Sequence, residues 1–504
     1  MDDQTDILFL SDNPNSGVAA DLDLLYPGRV KRMSFVAQDC TAATLSGFKY
    51  VVTMVCDGRN LEELDYAAIE EYACGGGTVV TCLFEYARHR GLTFSKTHVL
   101  DRLRPALRIE EETPITRGYA KGDEVWWYGA VSSAPDQMYA NQMMQRQILD
   151  VAESTDIQIL ATSTVNGGAV MVHERVGRGE ILALDLLSPL RPFHNSWGST
   201  NKYLFVGNLI GQSVRYGKHY SERLSYDDFV AAMHETAAKY PQLRLQAEGP
   251  CSDGRQLWTL SLGDESKPTM YFGAAVHGWE WENAFGLLRL AEVLCENPMI
   301  EGMRMADLHV KIMPIQNPAG YDAFTRQNAR GVDLNRNFDI AWEELPVPQD
   351  VVVPWDYNYK GACAASEAET QVIQGIIDRY RPVCVIDYHT ADYIMLLPHK
   401  GDDGLIESIR TNIMARLRNR YVTQAPYNGA YQQVNMERVS DRTRAPYLIG
   451  YAAEKGAPAS FLIEMSGNRD DVHALVMNTD SVVEICLAAM QECLTWLPGP
   501  GQSV

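Results

Sequence analysis

No window of this 504-residue chain approaches the length of a bilayer-spanning apolar segment, so an integral membrane role is not expected. The ten cysteines are scattered, with no CxxC pair and no dense framework, which argues against a disulfide scaffold or a cysteine-ligated structural zinc. Positive charge is scarce. Lys and Arg total 44 against 65 Asp and Glu, a formal charge of −21, so neither nucleic acid nor an anionic membrane is an expected partner. The residues before Ile7–Leu10 carry no positive run and that apolar stretch is short; no export signal is expected there, the thiols are expected to be reduced, and the cytoplasm is the simplest compartment. No internal repeat or low-complexity tract is evident. What remains, 46% hydrophobic and 22% charged residues, is the composition of a globular protein, and the length predicts two domains.

The first part, taken as residues 1–218, alternates short apolar runs with helix-like stretches. Ile7–Leu10, Tyr50–Val55, Thr78–Leu83, Ile157–Leu160 and Ile181–Leu184 read as strands, with glycine turns at Gly75–Gly77 and at Gly177 and Gly179. This predicts an open α/β sheet. The patterns of Gly75–Cys82 and Val176–Pro189 resemble the class I glutamine-amidotransferase-like, flavodoxin-like domains. Active members of that group need a nucleophilic cysteine on a tight strand-to-helix elbow. Cys82 follows a strand but lacks flanking glycines, and His194 is a partner only in principle, so a buried, non-catalytic cysteine is expected.

A second α/β unit is expected over 219–504. Ser225 followed by Asp228 predicts a capped helix running to Tyr240, where Pro241 ends it. Strands are expected at Leu257–Leu262, Met270–Val276, His309–Pro314, Val383–Asp387 and Ala459–Ile463. His277-Gly-Trp-Glu280 follows one of these strands, and His389 closes another. Zinc accepts imidazole nitrogen and carboxylate oxygen, and a catalytic zinc has three protein ligands and one open position. A His-x-x-Glu pair alone is weak, and a lone strand-end histidine is more often merely hydrogen-bonded.

The stretch between them changes that balance. Asn317-Pro-Ala-Gly320, then Arg326, then Gly331-Val-Asp-Leu-Asn-Arg-Asn-Phe338 follow His-x-x-Glu, and Glu464 ends a late apolar strand. In this order the motifs over roughly 220–495 resemble the zinc carboxypeptidases (carboxypeptidase A-like, funnelin). The resemblance implies a mixed sheet flanked by helices and one zinc per chain on His277, Glu280 and His389. It implies Glu464 as general base towards a zinc-activated water and Arg326 as the cation that polarises the scissile carbonyl. It implies Asn335 and Arg336 as the grip on a terminal carboxylate. Tyr447 is the nearest candidate for the family's capping tyrosine. Arg442 and Arg444 fall where relatives line a specificity pocket, with solvated loop charges as the alternative. Trp279 stands where digestive members carry a substrate-contacting arginine. The partner so implied is a peptide or small amide with a free carboxylate. A deacylase of the aspartoacylase type, a specialised peptidase for cell-wall-type or modified peptides, and a binding module with a vestigial metal site remain alternatives, and homo-oligomerisation is left open.

Overall fold

The computed structural model describes the chain except residues 1–4, 17, 20–21, 24–25, 27, 39, 100–106, 126–128, 131–142, 152–155, 185–198, 211–214, 219–222, 346–351, 392–394, 419–434, 437–445, 467–474 and 498–504. It divides into two compact units, the second beginning at Arg215. No helix among the described residues is long and apolar enough to cross a membrane.

In the first unit five parallel strands lie side by side in the order Val30–Ser34, Ile7–Ser11, Tyr50–Met54, Thr78–Thr81, Gly179–Leu184. Ile7–Ser11 and Tyr50–Met54 are buried throughout, which is why each reads as a continuous apolar run rather than an alternating one. Leu8, Leu10, Val51, Val79 and Ile181 meet Ile69 and Leu83 of the helices Tyr66–Cys74 and Leu83–Arg90 in one core. Beyond Gly179–Leu184 the sheet continues with antiparallel strands. Ala169–Val176 joins Gly179–Leu184 antiparallel, and Ile157–Ser163 and Leu107–Ile109 extend it, also antiparallel. The expected strand Thr78–Leu83 stops at Thr81, because Leu83 already opens a helix.

The second unit is built on an eight-stranded mixed sheet in the order Arg244–Pro250, Gln256–Gly263, His309–Met313, Thr269–Ala274, Cys384–Ala391, Ala459–Ser466, Met395–Pro398, Asn435–Met436. Its four central strands are mutually parallel. Tyr271, Met313 and Val385 pack with Ile373, Ile376 and Ile377 of the helix Ala368–Tyr380 and with Leu448 and Tyr451 of the helix Leu448–Glu454. The helices Glu282–Glu296 and Leu475–Trp496 pack on each other, and the former also lies on the sheet. Ser225 caps the helix Tyr226–Lys239 as its sequence predicts, its hydroxyl accepting from the Asp228 amide at 3.1 Å. In open sheets of this kind, groups that do chemistry gather at the carboxyl ends of the parallel strands.

Candidate metal centre

Thr269–Ala274 is buried at every position and leads straight to the first two ligand candidates. The strand ends at Ala274, earlier than the expected Val276, because Ala275 takes a left-handed conformation (φ 52°) that turns the chain. The next turn is closed by the Glu280 amide donating to the His277 carbonyl at 3.0 Å, which puts both side chains on one side. Gly278 makes this turn possible. A Cβ there would lie 1.8 Å from the Gly320 carbonyl carbon and 2.1 Å from the Tyr321 nitrogen. The glycine of His-Gly-x-Glu thus packs backbone-to-backbone on that of Asn-Pro-x-Gly, whose short helix Pro318–Ala323 is capped by Asn317. His389 comes from the neighbouring parallel strand Cys384–Ala391, and on the next strand its register partner is Glu464. Register partners on adjacent strands face the same side, so the carboxylate stands beside the imidazole.

The three ligand candidates converge. His277 Nδ1 and His389 Nδ1 are 3.1 Å apart. Glu280 reaches the first with Oε1 at 3.0 Å and the second with Oε2 at 2.9 Å. All three residues are buried, and among the described residues they form the one group of three or more His, Cys, Asp or Glu side chains spaced to share an ion. The outer face of each ring shows that the group suits a metal. His277 Nε2 lies 3.2 Å from Asp333 Oδ1, and His389 Nε2 lies 3.0 Å from Asp387 Oδ2. A carboxylate at Nε2 holds the proton there, which turns both Nδ1 lone pairs inward to a common point. Two imidazoles and one carboxylate at this spacing are the donor set of a catalytic zinc with an open fourth position. Burial disfavours the charged form of Glu280, yet protonated imidazoles at His277 and His389 would hold its carboxyl well below the usual range. Burial also disfavours the charged form of Glu464, and there it prevails and raises the carboxyl, a rise to which Glu280 adds and which His389, His277 and Arg326 oppose.

Asp333 organises the other side. Its Oδ2 accepts from Arg326 Nη2 at 2.7 Å and lies 3.8 Å from Arg336 Nη1. Although burial opposes ionisation, Arg326, His277 and Arg336 hold the Asp333 carboxyl well below the usual range. Arg326 Nη1 is also 3.1 Å from His277 Nδ1, so its charge reaches the ligand cluster. The Tyr357 ring covers the Arg326 guanidinium at 4.5 Å, and the Tyr447 ring covers that of Arg336 at 4.7 Å. Tyrosine, arginine, aspartate, arginine, tyrosine therefore follow one another in a row. Asn335 belongs to it: its Oδ1 accepts from the Leu448 amide at 3.1 Å, and its Nδ2 lies 3.3 Å from His389 Nε2.

The structure thus gathers His277, Glu280, His389, Glu464, Arg326, Asn335, Arg336 and Tyr447 into one site, while Arg442 and Arg444 lie outside the described residues. Sequence reasoning passed over Asp333, Asp387 and Tyr357. It also passed over Asn283, whose amide donates to the His389 carbonyl at 2.8 Å. Asp387 carried a usable signal, since it stands two residues before His389 on a strand and so on the same face.

A family model described as zinc carboxypeptidase matches residues 229–491. Carboxypeptidase B of Helicoverpa zea is 25% identical over 289 residues, 51% of this chain and 65% of that protein. Carboxypeptidase SOL1 of Arabidopsis thaliana is 34% identical over 147 residues, 27% of this chain and 29% of that protein. The chain therefore spans less than two thirds of the length of these curated relatives. Among solved structures, the carboxypeptidase A from Helicoverpa armigera aligns with a TM-score of 0.45 and 19% identity, over 59% of this chain and 80% of that one.

Proposed function

The chain belongs to the zinc carboxypeptidase family, and from that premise we propose that it is a zinc metallocarboxypeptidase, hydrolysing a peptide or amide bond next to a C-terminal carboxylate. The observation that carries this reading is the pair of guanidinium groups on Asp333, one reaching the ligand cluster and one lying under the Tyr447 ring. His277, Glu280 and His389 would hold a zinc ion, which when bound would supply a Lewis acid and lower the pKa of a water. The protein's own groups do the rest. Glu464 takes the proton of the attacking water and returns it to the leaving amine, a task suited to a carboxyl whose proton affinity burial has raised. Arg326, fixed by Asp333 and by the Tyr357 carbonyl at 3.1 Å, directs its charge at the carbonyl oxygen as negative charge develops there. Arg336 presents a planar fork that matches a carboxylate, and Asn335 stands beside it with a side-chain amide. The Tyr447 ring lies over the Arg336 guanidinium and holds it in place.

The first unit is read as a flavodoxin-like, amidotransferase-like domain without catalysis. Its parallel strands follow the order 2-1-3-4-5 typical of such sheets. Cys82 is 3% exposed and has an unstrained extended backbone (φ −73°, ψ 146°), not the strained turn of a nucleophile elbow. None of the ten cysteines forms a disulfide, which suits a reducing, cytoplasmic setting.

The test is to incubate zinc-loaded protein with peptides ending in Glu, Lys, an aromatic residue or diaminopimelate and to read products by mass spectrometry, with Glu464→Gln as control. Loss of one C-terminal residue with wild type only is the expected result. An untouched panel, with acid released from N-acyl amino acids instead, replaces the reading with a deacylase.

A further inference from the structure

Of the segment Val352–Tyr357 only Tyr357 enters the chemistry above, through Arg326, yet the whole segment is firmly built beside it. Val352, Val353, Trp355 and Tyr357 are 56%, 53%, 57% and 50% exposed, four large apolar side chains within six residues. Such a patch on a protein surface is usually an interaction site. The backbone beneath it is tied down. The Val352 and Val353 amides both donate to Asp356 Oδ2 at 2.9 Å, and the Trp355 amide donates to the Gly331 carbonyl at 2.9 Å. Gln327 Nε2 donates to the Asp356 carbonyl at 3.1 Å. Trp355 is held in the left-handed region (φ 75°), which is unfavourable for so large a residue and persists only where the surroundings impose it. It rests on Gly331, where an added Cβ would come within 2.9 Å of the indole.

The patch continues into the cleft. The Tyr357 ring lies over Arg326 and 6.2 Å from the ring of Trp279, the residue between Gly278 and Glu280. The row through Asp333 has a direction. On the carboxypeptidase reading Arg336, under Tyr447, takes the carboxylate and Arg326, under Tyr357, faces the bond to be cut. A substrate anchored at Arg336 passes Arg326 and leaves the cleft across Tyr357.

We propose that Trp279, Tyr357 and Trp355, with Val352 and Val353 beyond them, form an apolar shelf that receives an aromatic or branched aliphatic side chain on the acyl side of the cleaved bond. This rests on the carboxypeptidase reading and adds to it a preference for the penultimate residue. Trp279 supports it: its indole gives that wall no charge to offer an acidic penultimate residue.

The test uses full-length zinc-loaded enzyme and N-acylated dipeptides that share the best C-terminal residue and carry Phe, Leu, Gly, Asp or Lys before it. The kcat/KM ratio of Phe to Gly substrates is expected to be roughly tenfold or more, the range an apolar pocket gives for added side-chain surface. Trp355→Asn, which tolerates the left-handed backbone, is expected to bring that ratio towards one, and Val353→Ser to lower it less. Zinc content and melting temperature of each variant report whether the fold is intact. Equal rates for all five substrates, or a ratio unchanged in both variants, overturn the shelf while leaving the carboxypeptidase reading intact. Failure to cleave any of them overturns both.

Discussion

At the scale of single residues, the site depends on carboxylates that never touch the substrate. Asp387 accepts from His389 Nε2 at 3.0 Å and from Gln316 Nε2 at 3.1 Å, and is fully buried. Asp387→Asn keeps the shape but can present an N–H where an acceptor is needed, so the ring loses its fixed tautomer. Zinc affinity is expected to fall about 10- to 100-fold, as for other partners of metal-bound histidines. Competition against a chelating dye measures it, and wild-type affinity in the variant would refute the role given to Asp387. The ligands themselves were legible in the sequence because His-x-x-Glu, Asn-Pro-x-Gly and the Asp-Leu-Asn-Arg run occur in a specific order. Asp333 was not, since a lone aspartate reads the same whether it faces water or a buried imidazole, and Asp387 offered only its place two residues before His389 on one strand. Only the strand pairing that carries His389 beside His277 separates the two cases.

At the scale of elements, the turn after Thr269–Ala274 has no room to spare. Gly278→Ala places a methyl within 1.8–2.3 Å of the Gly320–Tyr321 backbone, so either the turn or the short helix Pro318–Ala323 must move. The expected outcome is loss of zinc binding and a lower melting temperature together, read by metal analysis and thermal unfolding. A variant that binds zinc normally would contradict the packing described. The neighbouring strand His309–Met313 carries a different constraint. His309 is fully buried, with Nδ1 3.0 Å from Thr269 Oγ1, and burial pushes its imidazole down to about 4. Between that value and the ordinary value near 6.5, the unfolded chain binds a proton that the folded one refuses. Stability is therefore complete above about pH 6.5 and falls as the pH drops towards 4, by on the order of 2–3 kcal/mol from this group. Urea unfolding at pH 7 and pH 4.5 should show a smaller loss in His309→Gln than in wild type, and equal losses would exclude His309 as the cause. Element boundaries were less legible than element types. The continuous apolar runs marked the buried parallel strands, whereas Phe94–Val99 and Met143–Ile148, which pair antiparallel, interleave polar residues and gave no comparable signal.

At the scale of the whole molecule, the site draws on turns, strand ends and a late strand spread from His277 to Glu464 but all within the second unit. Zinc that binds only the folded form stabilises that form. Hydrogen exchange followed by mass spectrometry, with and without zinc, is expected to show added protection in peptides covering 274–284, 333–337, 384–391 and 459–466. Residues 5–99 are expected to remain unchanged. Protection spreading evenly over both units would contradict a site confined to the second.

The row Tyr357, Arg326, Asp333, Arg336, Tyr447 sets two fixed positive charges against one negative charge. Electroneutrality along it is reached only when a second anion arrives, and a free C-terminus supplies that anion at the Arg336 end. Selection by charge balance follows: an amidated peptide of the same sequence leaves the row cationic and should neither be cleaved nor compete with its acid counterpart, which inhibition measurements with matched acid and amide peptides would show.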